Sequence, residues 1–163
     1  MNTRDAIQVG IRLDRDSWHG ADSEGIWTRL VKPLADKAIV EVDNIPFFTK
    51  GLSLGDKISI VFSHGRVRLD AIVERGGHST YRVFLENPSI KASNMLDTIR
   101  GMGCDWETAE FHGGELYALD IPPEVDIYKV YEILEQGQRE GSWLFEEGYV
   151  GHPPKRGPIS SLT

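Results

Sequence analysis

Between residues 7 and 73 the chain keeps returning to a two-residue hydrophobic period, and that period admits few folds. Ile7, Val9, Ile11 and Leu13 alternate with polar or small residues, Ile26, Thr28 and Leu30 do so around Trp27, and Ala38, Val40 and Val42 follow. Ile58, Ile60 and Phe62, then Val67, Leu69, Ala71 and Val73, complete the series. Successive side chains of an extended strand point to opposite faces, so each segment reads as a strand with one buried face. The separators are turn chemistry: Lys32-Pro33, Asn44-Ile45-Pro46, Leu54-Gly55-Asp56 and Ser63-His64-Gly65-Arg66. His64-Gly65 can close a tight hairpin because glycine tolerates positive φ. Five short strands with no 3.6-residue period predict a small, strongly bent antiparallel sheet or partly open barrel over residues 1–76.

The period then changes. Tyr81, Val83 and Leu85 continue as a strand, but Met95, Leu96, Ile99 and Met102 fall at helical spacing, with Gly101 or Gly103 to end the helix. Trp106 to Phe111 and Glu115 to Ile121 read as a hairpin joined by His112-Gly113-Gly114. Pro122-Pro123 closes that strand, Asp126 is a candidate N-cap, and Ile127, Val130, Tyr131 and Leu134 form a helical stripe before Gly137 and Gly141. Trp143 to Val150 is the last expected strand. The order strand, helix, strand, strand, helix, strand is that of a ferredoxin-like βαββαβ unit, so the fold class is α+β. The expected division is a β-rich unit over 1–76, a ferredoxin-like unit over 77–152 and a mobile tail over 153–163 that opens with Pro153-Pro154.

Charge follows the same division. Residues 1–82 hold 12 basic and 11 acidic side chains, whereas residues 83–163 hold 6 basic and 14 acidic, so the net charge of -7 resides in the second half. An acidic chain repels a polyanion, which argues against a general nucleic-acid binder and leaves no nucleic-acid partner expected. No apolar run reaches the roughly 20 residues of a membrane-crossing helix, so no membrane partner is expected either. Cys104 has no second cysteine to pair with and no charged leader precedes an apolar stretch, so the expected compartment is the cytoplasm.

At the boundary of the two units stands Val73-Glu74-Arg75-Gly76-Gly77-His78-Ser79-Thr80-Tyr81-Arg82. Its adjacent glycines permit a sharp turn or the close approach of another backbone. With Asn44-Ile45-Pro46-Phe47-Phe48, Leu54-Gly55-Asp56, Gly141-Ser142-Trp143 and Glu146-Glu147-Gly148, it makes the chain resemble a bacterial domain-of-unknown-function family, the one numbered 4265, from about Trp18 to Gly151. The resemblance implies a compact bacterial intracellular domain and carries no catalytic assignment.

Several polar residues have the make-up of a chemical site. Arg75, His78, Thr80 and Arg82 are a candidate site for a carboxylate or phosphate, with Arg82 as a forked donor and His78 as an adjustable one. The competing reading is that they satisfy backbone polar atoms where two sheets meet. His78 beside Ser79 looks like a base beside a nucleophile, but strand neighbours point apart, so a hydrolase using His78 would need a distant carboxylate. The five histidines are scattered and beside turns, so no metal and no cofactor are expected. Neither Gly76-Gly77 nor Gly113-Gly114 has the spacing of a nucleotide-binding loop. Trp18, Trp27, Phe47 and Phe48 are read as core or interface rather than as a stacking platform.

What remains is a non-enzymatic protein-binding module. Aromatic anchors in a field of one sign capture an oppositely charged partner quickly and hold it. The candidate partner-binding residues are Glu107, Glu110, Trp143, Glu146, Glu147 and Tyr149, and the expected partner is a protein, a basic toxin domain that this chain would neutralise as an immunity protein. A small-molecule or anion-binding regulatory domain with its site at the Gly76–Arg82 segment is the alternative.

Overall fold

The structure is a computed structural model that describes residues 5–154. Its first unit is a barrel of five strands: β1 (Ala6–Arg12), β2 (Ser23–Pro33), β3 (Lys37–Val42), β4 (Lys57–Ser63) and β5 (Arg66–Glu74). Consecutive strands pair antiparallel, and an odd number of alternating strands forces the last to lie parallel to the first. One parallel pair, Gly10 with Arg68, joins β1 to β5, so the barrel is closed rather than partly open. The alternating apolar residues meet inside it: Val9, Ile26, Val40, Val42, Ile58 and Ile60, together with Leu52, are buried in one cluster. His64 and Gly65, at φ 53 and 72, make the tight β4–β5 hairpin.

The second unit comprises β6 (Ser79–Leu85), α1 (Ile90–Gly101), β7 (Asp105–Phe111), β8 (Gly114–Ile121), α2 (Ile127–Arg139) and β9 (Leu144–Tyr149). Its four strands lie in the order β7-β8-β6-β9, every neighbouring pair antiparallel. Tyr81, Val83 and Leu85 of β6 share one face with Leu119 and Ile121 of β8, and that face buries Ala92, Leu96 and Ile99 of α1 with Val130 and Leu134 of α2. The Ser89 hydroxyl caps α1 by accepting from the Ala92 N–H at 3.1 Å, and Asp126 caps α2 by accepting from Tyr128 at 3.0 Å.

Two expectations are corrected here. Gly137 does not stop α2; the helix runs on to Arg139 and Gly141, at φ 77, makes the turn. Gly137 is instead a slot for Trp143, since a Cβ there would collide with the indole. Trp143 is accordingly not a strand residue or a surface anchor: it is 3% exposed, in the helix-side core, and donates its Nε1–H to the Leu134 carbonyl at 2.9 Å. Of the expected mobile tail 153–163, residues 155–163 lie outside the described residues.

The barrel's β3–β4 connection reaches over the face of the second sheet that the helices leave bare. Gly76 makes this approach possible, because a Cβ at that position would sit 2.6 Å from the Gly55 carbonyl oxygen. The paired glycines read from the sequence as a close-approach point thus bring the two units together.

Candidate functional site

Where the units meet, β6 presents alternate residues to the barrel. Thr80 and Arg82 are buried there, on the side opposite Tyr81 and Val83. Thr80 Oγ1 lies 2.6 Å from the Ser53 hydroxyl. Arg82, 1% exposed, donates to the carbonyls of Phe47 and Thr49 and to Glu146 at 3.4 Å. Burial lowers its pKa against the opposing pull of Glu146 and Glu24. Glu24 organises the same loop: its carboxylate accepts from the N–H groups of Phe47, Phe48 and Thr49 at 2.6, 3.1 and 2.8 Å, and from the Thr49 hydroxyl.

The remaining junction residues are paired in the same way. Asp56, fully buried, accepts from the Ser53 and Gly76 N–H groups and from Arg75 at 3.0 Å, while Arg75 also donates to the Gly51 carbonyl and stacks over Tyr149. His78 Nδ1 is 2.8 Å from Asp120. Burial raises the Asp120 carboxyl pKa more than the hydrogen bond from His78 lowers it. Ser79 turns away from His78 and bonds to His152 Nδ1 at 2.6 Å, and His152 Nε2 lies 2.9 Å from the Pro122 carbonyl. A donor Nε2–H leaves Nδ1 as the acceptor of the Ser79 proton, but Ser79 is fully buried in the described structure. Arg75, His78, Thr80 and Arg82 are therefore brought to one junction, each facing a different partner within the chain rather than a shared opening.

The acidic residues singled out in the sequence are separated by register. Glu107 opposes Ala118, Ala118 opposes Arg82 and Arg82 opposes Glu146, so Glu107 and Glu146 share the barrel-side face from opposite edges of the sheet. Glu110 opposes Glu115 and Glu115 opposes Leu85, while Glu147 opposes Tyr81 and accepts its hydroxyl; these two point to the helix side, again at opposite edges. One continuous patch of the four does not exist. Glu146 is moreover held by Arg82 and, at 4.0 Å, by Lys50.

What does stand open is the β7 edge. Every residue from Glu107 to Glu110 is exposed, and among the described residues β8 is the sole sheet neighbour of this strand. Glu107 and Glu110 have no ion-pair partner among the described residues. Burial raises the Glu107 pKa, offset by the Ile45 N–H and reinforced by Asp105 and Glu24. Asp105 is partnered by Arg100 at 3.3 Å, whose guanidinium also lies over Trp106.

Beside this edge a groove of about 370 Å³ opens between the β7–β8 turn and the start of β9, walled by Trp18, Phe84, Phe111 and Leu144 with Glu146 and His112 at its margin. Trp18 and Phe111 meet edge to face at 5.4 Å. The sequence marked Trp18 and Phe48 as interface residues but not Phe111 as their partner, since nothing local ties residue 18 to residue 111. Glu24, Ser53, Asp56 and His152 were missed as well; only the Leu54-Gly55-Asp56 turn carried a signal.

Among the described residues no group of three or more His, Cys, Asp or Glu side chains could hold a metal, and no helix is long and apolar enough to cross a membrane. Cys104 is buried, which pushes its thiol pKa up to about 12.

No curated protein matches the chain. It is similar in fold to a crystal structure described as that of a hypothetical protein from Neisseria gonorrhoeae, with a TM-score of 0.71 and 15% sequence identity over 91% of this chain and 96% of that one. The family model for a domain of unknown function, DUF4265, matches residues 24–145, spanning the last four barrel strands, both helices and the sheet through the start of β9, and the chain belongs to that family.

Proposed function

We propose that the chain is a non-enzymatic protein-binding module that docks a basic partner along the β7 edge, and that its specific role is that of an immunity protein neutralising a toxin domain in the bacterial cytoplasm. The observation that carries this reading is the pair Glu107 and Glu110, which flank an unpaired edge strand from its two faces and lack cationic partners among the described residues. An open edge offers main-chain donors and acceptors to an added strand, and charges on either side set its sign and register. Edge carboxylates also guard a sheet against self-association, so a partner has to supply the neutralising cations. The docking surface is narrower than the sequence implied: Glu107 and Glu110 remain in it, Trp143, Glu146 and Tyr149 are engaged inside the fold, and Glu147 is at the far edge. A ferredoxin-like second unit is part of this reading, supported by the order β7-β8-β6-β9 and by two helices on one face.

The test is co-expression with the protein encoded by the adjoining reading frame. The expected result is rescue of growth and co-purification by the wild-type chain, both lost in E107K/E110K while its circular dichroism and cooperative melting show that it remains folded at the assay temperature. A harmless neighbour, or co-purification undiminished by charge reversal, contradicts the reading.

The aromatic groove favours a second reading, a small-molecule-binding domain, because an apolar cleft of this volume with a carboxylate at its margin has the make-up of a ligand site. The candidate site then moves from the Gly76–Arg82 segment to the Trp18–Phe111 wall. A metabolite that raises the melting temperature of wild type and not of Trp18→Ala would support it, whereas equal shifts would remove it.

A further inference from the structure

The outer surface of the barrel at its closing seam carries the opposite charge from the β7 edge. Gly10 of β1 lies opposite Gly25 of β2 and beside Arg68 of β5, so the middle of this surface has no side chain on two of its three strands. The result is a groove of about 930 Å³ whose lining includes Arg12, Arg66 and Arg68 and also the carboxylates Asp22 and Glu24. All three arginines are exposed, and none of their guanidinium groups has a partner among the described residues.

The two carboxylates of the groove, and Asp70 beside it, are already committed. Asp22 pairs with Arg15 at 2.9 Å, Glu24 is bound by three backbone N–H groups of the β3–β4 connection, and Asp70 is held by Lys37 and Ser59. Arg66 and Arg68 are two residues apart on one face of β5, which is about 7 Å along a strand. Arg12 stands two residues beyond Gly10 on the neighbouring parallel strand, which extends the row by a similar step. At the Arg66 end, Gln8 reaches across Gly25 and pairs in register with Trp27, half of whose surface is exposed.

We infer that this groove binds a single-stranded nucleic-acid segment, with successive phosphates on Arg12, Arg68 and Arg66 and a base stacked on Trp27. A single phosphate needs one forked donor, whereas a staggered row of three, spaced like the phosphates of an extended strand and ending at an exposed indole, matches a strand with a stackable base. The net charge of -7 does not oppose this locally, because the excess carboxylates belong to the second half of the chain. The inference is independent of the β7-edge reading and uses none of its residues.

Fluorescence anisotropy of a labelled oligouridylate against the full chain tests it, starting at about 20 mM salt, where phosphate contacts are strongest. Three phosphate contacts give a slope of log K against log salt of about -2, and removing two leaves about -0.7. The expected result is therefore saturable binding with the steeper slope, at least tenfold weaker in R66A/R68A with the shallower slope, and weakened in Trp27→Ala with the slope kept. R66K/R68K, which preserves charge, retains most of the salt dependence, and equal melting temperatures show that the variants remain folded. Absence of binding at low salt, affinity unchanged in R66A/R68A, or full competition by inorganic pyrophosphate at equal phosphate concentration overturns the inference, the last in favour of a small oxyanion.

Discussion

The junction between the units and the β7 edge both hold carboxylates, yet they treat them oppositely. At the junction Asp56, Asp120, Glu24 and Glu146 each face a named donor, and the cations Arg75 and Arg82 are bound in turn. At the edge Glu110 faces solvent and Glu107 takes only the Ile45 N–H, and neither faces a cation among the described residues. A buried charge must be paired or the fold loses several kcal/mol, whereas an exposed one costs little to leave alone. Polar residues that look chemical in the sequence are therefore structural where the chain is buried, and the residues free to recognise something else lie outside.

This contrast breaks most visibly at Arg82. Removing it strands two loop carbonyls in the buried junction and leaves the half-buried Glu146 with only Lys50, so Arg82→Ala should cost about 3–5 kcal/mol in denaturant unfolding, with Arg82→Lys intermediate because it keeps charge but not the fork. A loss below about 1 kcal/mol would mean that the junction is not buried in solution. Gly137→Ala comes next, at about 1–3 kcal/mol of overpacking against Trp143 less what the helix gains from alanine. Asp120 sharpens the comparison through pH. Its folded pKa is raised above the ordinary carboxylate value, so its contribution to stability is full below about pH 4 and is lost as pH rises through the folded value. Relative to Asp120→Asn, the wild type should lose stability over that rise; a constant difference would contradict the burial of this carboxyl. The smallest expected effect is at Glu110, where charge reversal should change stability by no more than about 0.5 kcal/mol; reversal at Glu107 also removes the acceptor of the Ile45 N–H and should cost more. Cys104 should resist iodoacetamide at pH 8 until the chain unfolds, because its thiol pKa is pushed up to about 12.

Most of the architecture was legible because it rests on period. Alternation marked all five barrel strands, helical spacing marked α1 and α2, and the glycine pair at 76–77 announced a close approach. Closure of the barrel was not legible, since the Gly10–Arg68 pair that seals it joins residues far apart in the chain. Trp143 and Gly137 were misread for a related reason: a glycine near a helix end commonly stops it, and here a later indole needs the gap. The grouping of the carboxylates failed by parity. Glu107 and Glu110 are three apart and Glu146 and Glu147 one apart, and odd spacings on a strand put side chains on opposite faces. At the candidate anion residues the sequence also offered the reading that they satisfy backbone polar atoms where two sheets meet, but not the partners themselves: Arg75 and Arg82 are answered by carbonyls of residues 47, 49 and 51, which no local pattern could place beside them.

Hydrogen exchange on the chain with the proposed basic partner, the protein encoded by the adjoining reading frame, measures the docking face itself. If the β7 edge receives the partner, amide protection on binding concentrates in residues 105–111 and disappears in E107K/E110K. Protection that falls elsewhere while these amides exchange as in the free chain would contradict the claim that recognition occurs on this strand.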